Sequence, residues 1–478
     1  MSLALRIETQ RRPHLSVAER TAIGKAERAT MPRVRHEEVT LDAGRDPVGQ
    51  IELEGNGRLA DLLPIRHARM LASPLAFYRG TASLMARDLA SCSSSSLRVQ
   101  LCGDAHLSNF GGFASPDRAL VFDLNDFDET LPGPFEWDVK RLAASFELAA
   151  RHHELPQRAR RSVVLDLVCA YRRAMRDFAT MTNLQVWYSR LDAARFSEVL
   201  DAQEETRNRR AFRDTALKAA SKARTKDSAR ALARLTELVD GERRFVSRPP
   251  LIVPVDEFAP AEHDRSELEA AIKELLLRYR RTLQHDRRVL FDQYRYVDLA
   301  HKVVGVGSVG TRCWIVLLLG KDDEDALVLQ VKEASASVLE PYAGKSRYAN
   351  AGQRVVEGQR LMQAASDIFL GWIRNQAGFD GNVRDFYVRQ LWDWKGGVDI
   401  DTVDPAVLVP LANVCGWTLA RAHARSGDRV AIASYLGKAE VFDKAVAAFA
   451  SSYADIAEQD FAHFGQAADA GRLAVGEP

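Results

Sequence analysis

The chain has 478 residues, 46% hydrophobic and 27% charged, with 66 basic residues against 65 acidic ones for a net charge of +1. A chain of this length can bury a large core and hold two or three domains, and its balanced charge gives no global signature of a nucleic-acid or membrane-surface partner. The five cysteines have no CxxC spacing, the first sixteen residues lack an apolar core segment, and the longest apolar run, near 313–319, is far short of the roughly 20 residues that cross a bilayer. These features point to a soluble protein of a reducing cytoplasm.

In chain order, residues 1–58 are polar and interrupted by Pro13, Pro32, Pro47, Gly44, Gly49, Gly55 and Gly57, and read as an irregular arm. Helical spacing at Ala82, Met85, Ala86 and Leu89 predicts a helix that the serines of 91–96 end. Val99 and Leu101 mark a short strand before Gly103, and a second apolar run at 120–122 ends in Asp123, Asn125, Asp126, Asp128 and Glu129, so two strands deliver acids to one edge. Val139, Leu142, Ala143, Phe146 and Ala150 define one helix face, and Val164, Leu167, Val168, Tyr171, Met175 and Phe178 another. The Arg- and Lys-rich span 204–248 is diluted by Asp214, Asp227, Glu237 and Asp240 and reads as a solvated helical insertion, which disfavours a nucleic-acid patch. Leu268, Ile272, Leu275, Leu276 and Tyr279 restore an amphipathic helix. From about residue 300 the texture turns to strand, in HKVVGVGSVGTRCWIVLLLG, ALVLQVKEA and RDFYVRQLWDW. The organisation expected is an arm over 1–58, a catalytic-loop and helical region over 59–297 with the charged insertion near 200–250, a β-rich region over 298–398, and C-terminal helices over 399–478 packing on the helical region.

The chemistry concentrates in residues 101–138, LCGDAHLSNFGGFASPDRALVFDLNDFDETLPGPFEWD. Asp104 followed five residues later by Asn109 fits a carboxylate that orients or deprotonates an attacking hydroxyl and an amide oxygen that holds magnesium. The second metal ligand comes from the end of the next strand, at Asp123 or Asp126. So many acids repel one another unless a divalent cation relieves them, and an oxygen-only set suits magnesium or manganese; a solvated acidic turn is the bland alternative. His106 reads as a buttress of the loop. Gly305, Gly307 and Gly310 form a GxGxxG that is weak alone, since no helix with an acid follows at the distance a dinucleotide site requires. Lys332 on a following strand and Glu357 on a following helix change its weight. A glycine-rich hairpin, a strand lysine and a helix glutamate that holds the lysine are the parts of a kinase nucleotide lobe. On that reading Lys332 faces Asp126 across one cleft, within about 10 Å. Arg69, Tyr78 and Arg79 line an acceptor pocket or are buried structural groups, and both readings stay open.

GDAHLSN resembles the catalytic loop of the aminoglycoside and choline kinase branch of the protein-kinase-like phosphotransferases, and NDFDETLPGPFEWDVKRLA resembles their metal-binding segment and following helix. Spacing to Gly133 and Asp138 puts Asp126 in the place of their metal aspartate, whereas the FDLND string puts Asp123 there. From about residue 60 to 430 the chain resembles the bacterial domain of unknown function 2252 family, through SPLAFYRGTA, LCGDAHLSNFG, FDLNDFDETLPGPFEWDVKRLAAS, KVVGVGSVGTRCWIVLL, QVKEA and GWTLARAHARSGD. The kinase resemblance implies an α+β, two-lobed, protein-kinase-like fold with a largely helical lobe and a smaller β-rich nucleotide lobe. It further implies ATP and Mg2+ as cofactors and γ-phosphoryl transfer to a small-molecule or protein hydroxyl. The order of the motifs departs from that pattern, because the glycine segment and Lys332 follow Asp104 and Asp126. It reads as a circular permutation, with LANVCGWTLARAHARSGD resembling the helix that leads into the catalytic loop and TASLMARDLA competing for that place. The rival readings are a non-catalytic nucleotide-binding regulator, a nucleotidyl transferase, and a metallophosphoesterase, for which the eleven histidines supply no HxH. No acceptor is implied.

Overall fold

The computed structural model describes residues 14–192, 207–225, 228–258, 265–303, 309–375, 382–391, 393–394 and 396–476; Gly305 and Gly307 lie outside the described residues. The stretch 14–58 is not irregular, because it carries helices α1 (Val17–Thr30) and α2 (Pro47–Gly55). Ser16 and Glu19 cap α1 reciprocally, and Asp46 accepts from Gly49 N at the start of α2. Pro47 stands in the first turn of α2, where a missing N–H breaks no bond. Two of the residues that read as breakers, Pro47 and Gly55, are the ends of α2.

Helix α3 (Ala82–Ser91) leads into β1 (Arg98–Leu101). Strands β2 (Phe110–Ala114) and β3 (Leu120–Leu124) form a hairpin, and β4 (Leu131–Pro134) runs into α4 (Phe135–His152). Strand β1 pairs with β4, whereas β2 and β3 form a separate sheet with β5 (Leu191–Asp192). The acids thus leave two different small sheets, Asp104 after β1 and the 125–129 group after β3. The spacing that predicts the two long helices matches their buried faces: Val139, Leu142 and Phe146 of α4, and Val164, Leu167, Val168 and Tyr171 of α5 (Gln157–Thr180), all lie in one large apolar cluster.

A second body is a six-stranded antiparallel sheet. Its back and front are covered by α6 (Ser228–Leu235) and α7 (Arg265–Arg280), and its strands are β6 (Ile252–Pro254), β7 (Arg295–Lys302), β8 (Cys313–Leu319), β9 (Ala326–Ala334), β10 (Gly371–Asn375) and β11 (Arg384–Gln390), in the order β10-β11-β9-β8-β7-β6. Strand β8 reads CWIVLLL without alternation because both faces are buried. Val316 and Leu318 pack with Ile272 and Tyr279 of α7, while Ile315, Leu317 and Leu319 pack with Ala231, Leu232 and Leu235 of α6. The Arg- and Lys-rich span is therefore not wholly solvated, since it lays one apolar stripe on the sheet. The sheet body also reaches back ahead of residue 298.

Helix α8 (Ala351–Met362) touches β9, β10 and β11 on one side and α9 (Leu408–Ser426) on the other, so it stands between the sheet and the helical body. Helix α9 packs along α5, and α10 (Val441–Asp469) along α4. The architecture is α+β, and among the described residues no helix is long and apolar enough to cross a membrane.

Candidate functional site

The chain leaves β1 through Gly103, whose φ is +86°. A Cβ at that position would stand 2.4 Å from the Glu129 carbonyl oxygen, so only glycine lets the loop pass there. Asp138, in the first turn of α4, accepts from Cys102 N (2.8 Å) and Gly103 N (3.1 Å). His423 of α9 donates from Nε2 to the same carboxylate at 3.2 Å and accepts at Nδ1 from the Tyr171 hydroxyl at 2.8 Å. Leu107 N donates to Ser145 Oγ (3.0 Å). The loop is thus anchored from behind by three helices. Asn109 Nδ2 donates to the Asp104 carbonyl (2.8 Å), and Asn125 N donates to the Asn109 carbonyl (2.8 Å), which ties the two acidic segments together. Gly103→Ala should cost about 3 kcal/mol or more, from strain at positive φ and the carbonyl clash. An unchanged urea midpoint would contradict that close approach.

Over this loop opens a cleft of about 300 Å3, lined by Asp104, His106, Asn109, Asp126, Asp128 and Glu129, with Arg58, Arg79, Thr311, Glu333 and Ser335 around them. Asp104 is 21% exposed, and its Oδ1 accepts from Arg141 Nε at 2.6 Å. Arg141 is buried, donates to the Tyr78 carbonyl (2.9 Å) and lies 4.3 Å from the centre of the Tyr78 ring. His106 Nε2 is 3.7 Å from Asp104 Oδ2. Burial pushes the His106 pKa down to about 4, so at pH 7 it is a neutral neighbour, and its Nδ1 has no hydrogen-bond partner. A second cavity of about 360 Å3 shares Arg79 with the cleft and is lined also by Ser108, His152, Asp399 and Asp401.

Lys332, mid-strand in β9, is 3% exposed and bonds the Asp128 carboxylate. Burial works against its charge, but Asp128, with Tyr387 and Asp126, outweighs burial and raises the Nζ pKa. The structure thus brings Lys332 to an acidic turn 204 positions earlier in the chain.

A family model described as an uncharacterized protein conserved in bacteria (DUF2252) matches residues 58–467. The chain belongs to the DUF2252 family. No curated protein and no solved structure matches it. The family region of this DUF2252 chain takes in every residue of the cleft named above.

Within the DUF2252 cleft, Asp104, Asn109 and Asp126 come together, and Lys332 reaches them through Asp128. Two expectations need correction. Asp123 is 1% exposed and faces the core, where its carboxylate accepts from the Arg421 guanidinium, from Leu124 N (2.9 Å) and from Ala364 N (2.8 Å), so it anchors α9 and is not available to a metal in the cleft. Glu357 does not hold Lys332; it pairs with Arg360 at 3.3 Å on the same helix. Arg354, one turn earlier on α8, instead reaches the acidic turn, donating to the carbonyls of Asp128 (2.7 Å), Thr130 (2.9 Å) and Ser335 (2.8 Å). Gly310 has φ +87°, its carbonyl accepts from Leu59 N (2.8 Å), and Arg58 donates to the Val309 carbonyl (2.7 Å), so the described end of the glycine segment is fixed beside the cleft. Tyr78 supports Arg141 from behind, whereas Arg79 lines the cleft. Arg58, Arg141 and Arg354 escape sequence reasoning, and Asp128 is legible as one of the acids but not as the partner of Lys332. Arg141 leaves one trace, as a cation among the apolar positions of α4.

Two groups make the cleft pH-sensitive with opposite sign, His106, which stays neutral when folded, and Glu129, which keeps its proton. Burial raises the Glu129 carboxyl pKa from 4.5 to about 7, against the opposing charge of Arg354 and the hydrogen bond from Val338 N at 2.7 Å. Between those two values the folded state holds a proton on Glu129 that the unfolded chain releases, so the Glu129 contribution to stability falls as pH rises through the window and levels off above it. Glu129→Gln should make stability rise more, or fall less, with pH than in wild type in urea titrations run between the two pH limits. A pH dependence identical to wild type would remove Glu129 as a contributor.

Proposed function

We propose that the cleft is the site of ATP- and magnesium-dependent phosphoryl transfer to a small-molecule or protein hydroxyl. The observation that carries this reading is the meeting of the sheet lysine, Lys332, with the Asp126 and Asp128 turn beside Asp104 and Asn109. Phosphoryl transfer asks a protein for little covalent chemistry and for much positioning and charge neutralisation, which a buried cation facing an oxygen-rich edge can provide. A protein-kinase-like, two-lobed arrangement in permuted order accords with α9 backing the loop through His423 and Asp138 and the end of β3 through Arg421.

In this reading Arg141 occupies Asp104 Oδ1, and Oδ2 orients the acceptor hydroxyl and takes its proton. Lys332 holds the α and β phosphates, and the end of the glycine segment at Gly310, fixed through Arg58, borders them. Asn109 and Asp126 would hold magnesium, which supplies charge neutralisation at the phosphates. The donor set fits that ion: the Asn109 amide is fixed through Nδ2, leaving its oxygen as acceptor, and Asp126 adds a carboxylate on the same cleft. Among the described residues no three His, Cys, Asp or Glu side chains form a complete cage. Magnesium, bound by one or two carboxylates plus waters and phosphate oxygens, needs none.

One contact favours the alternative of a nucleotide-binding regulator without turnover, namely the Arg141 hold on Asp104. The deciding experiment incubates the protein with magnesium and γ-labelled ATP, with and without a metabolite extract. Magnesium-dependent binding with label passing to water or an acceptor is expected. Binding without turnover selects the regulator, product labelled from α-labelled ATP selects nucleotidyl transfer, and no ATP binding at millimolar concentration ends the reading.

A further inference from the structure

We infer that Asp128 is the residue that positions Lys332 for the nucleotide phosphates, the task expected of a helix glutamate; the inference rests on the phosphotransfer reading. A lysine buried mid-strand on a flexible four-carbon stem must be paired, and where its ammonium points depends on how firmly its partner is held. Asp128 lines the cleft but is held through both carboxylate oxygens and through its backbone. One carboxylate oxygen bonds Lys332 and the other accepts from the Tyr387 hydroxyl at 2.8 Å. Tyr387 is the direct cross-strand partner of Lys332 on β11, so lysine and hydroxyl rise from one rung of the sheet toward one carboxylate. The backbone is fixed as well, since Arg354 donates to the Asp128 carbonyl (2.7 Å) and Asp128 N donates to Asp126 Oδ1 (3.1 Å).

Two consequences separate this arrangement from a lysine held by a helix. Lys332 is located by the same turn that carries the candidate metal ligand Asp126, so lysine and metal positions are set together, two residues apart. Helix α8 contributes through its Arg354 bonds to backbone carbonyls, and Glu357 is left to the surface pair with Arg360.

The test measures Mg·ATP and adenosine affinity by calorimetry for wild type, Asp128→Asn, Asp128→Glu and Tyr387→Phe, with circular dichroism confirming that each is folded. Asp128→Asn should weaken Mg·ATP binding by about tenfold or more, as expected for losing a charge-assisted contact, and leave adenosine, which has no phosphates, unchanged. Asp128→Glu should restore Mg·ATP affinity to within about threefold of wild type. Mg·ATP affinity in Asp128→Asn equal to or tighter than wild type overturns the inference, because Asp128 would then be a counter-ion that nucleotide displaces. Where Asp128→Asn does not fold, Tyr387→Phe decides, since it keeps both charges and removes only the bond that orients the carboxylate: weaker Mg·ATP binding supports the inference and wild-type affinity overturns it. A wild type that binds no Mg·ATP overturns the phosphotransfer reading, and the inference with it.

Discussion

Replacing Asp104 by asparagine is expected to lower phosphoryl transfer by about a hundredfold or more while Mg·ATP still binds. The amide keeps the shape of the carboxylate and can still accept from Arg141 Nε, but it cannot take a proton from a hydroxyl. The same change removes the charge facing Arg141, whose guanidinium is buried against Tyr78. The variant should therefore lose about 2 kcal/mol of stability, less than a fully buried broken pair costs because Asp104 is partly solvated. Single-turnover transfer with γ-labelled ATP and urea denaturation read the two effects separately. Wild-type turnover in a folded Asp104→Asn protein would exclude Asp104 from the chemistry.

The second large effect is structural and separates two aspartates three positions apart. Arg421→Met should destabilise the protein by about 3–5 kcal/mol, because it strands the Asp123 carboxylate in the core. Arg421 also donates to the Met362 carbonyl (2.5 Å), so the loss includes an orphaned acceptor on α8. Adding Asp123→Asn to Arg421→Met should recover part of that loss, since the unpaired charge is gone. Asp126→Ala should leave the unfolding free energy from urea titration within about 1 kcal/mol of wild type and weaken magnesium-dependent nucleotide binding. If a folded Asp123→Ala protein lost magnesium dependence while Asp126→Ala kept it, the metal role would move to Asp123.

Which aspartate does what is where sequence reasoning reaches its limit. The helix faces of α4 and α5 were legible because apolar periodicity is a local signal, and β8 and β9 because a doubly buried strand needs an unbroken apolar run. Asp104, Asn109 and Asp126 were legible as a group because their spacing lies within one segment. The assignment of Asp123 and Asp126 was not, since it depends on Arg421, almost three hundred positions away. The partner of Lys332 failed for the same reason: a glutamate on the next helix is the nearest acid of the right kind, yet the fold brings the lysine to Asp128. The proline- and glycine-marked stretch around Pro47 misled in a different way, because the residues that break a helix interior also begin and end helices, and spacing alone does not separate the two uses.

The bracing of β3 and the Asp104 loop by α9 bears on the order in which the site is built during synthesis. Asp123 and Asp138 leave the ribosome long before Arg421 and His423, which meet their carboxylates in the folded protein. Until those two residues clear the exit tunnel, the nascent chain holds two acids whose side-chain partners do not yet exist, and burying either would be costly. The loop that carries Asp104 therefore sets late, and the growing polypeptide passes most of its elongation with the cleft unassembled. A chain stalled or truncated before residue 421 should be open to proteases around 101–138 even though α4 and α5 have been made in full.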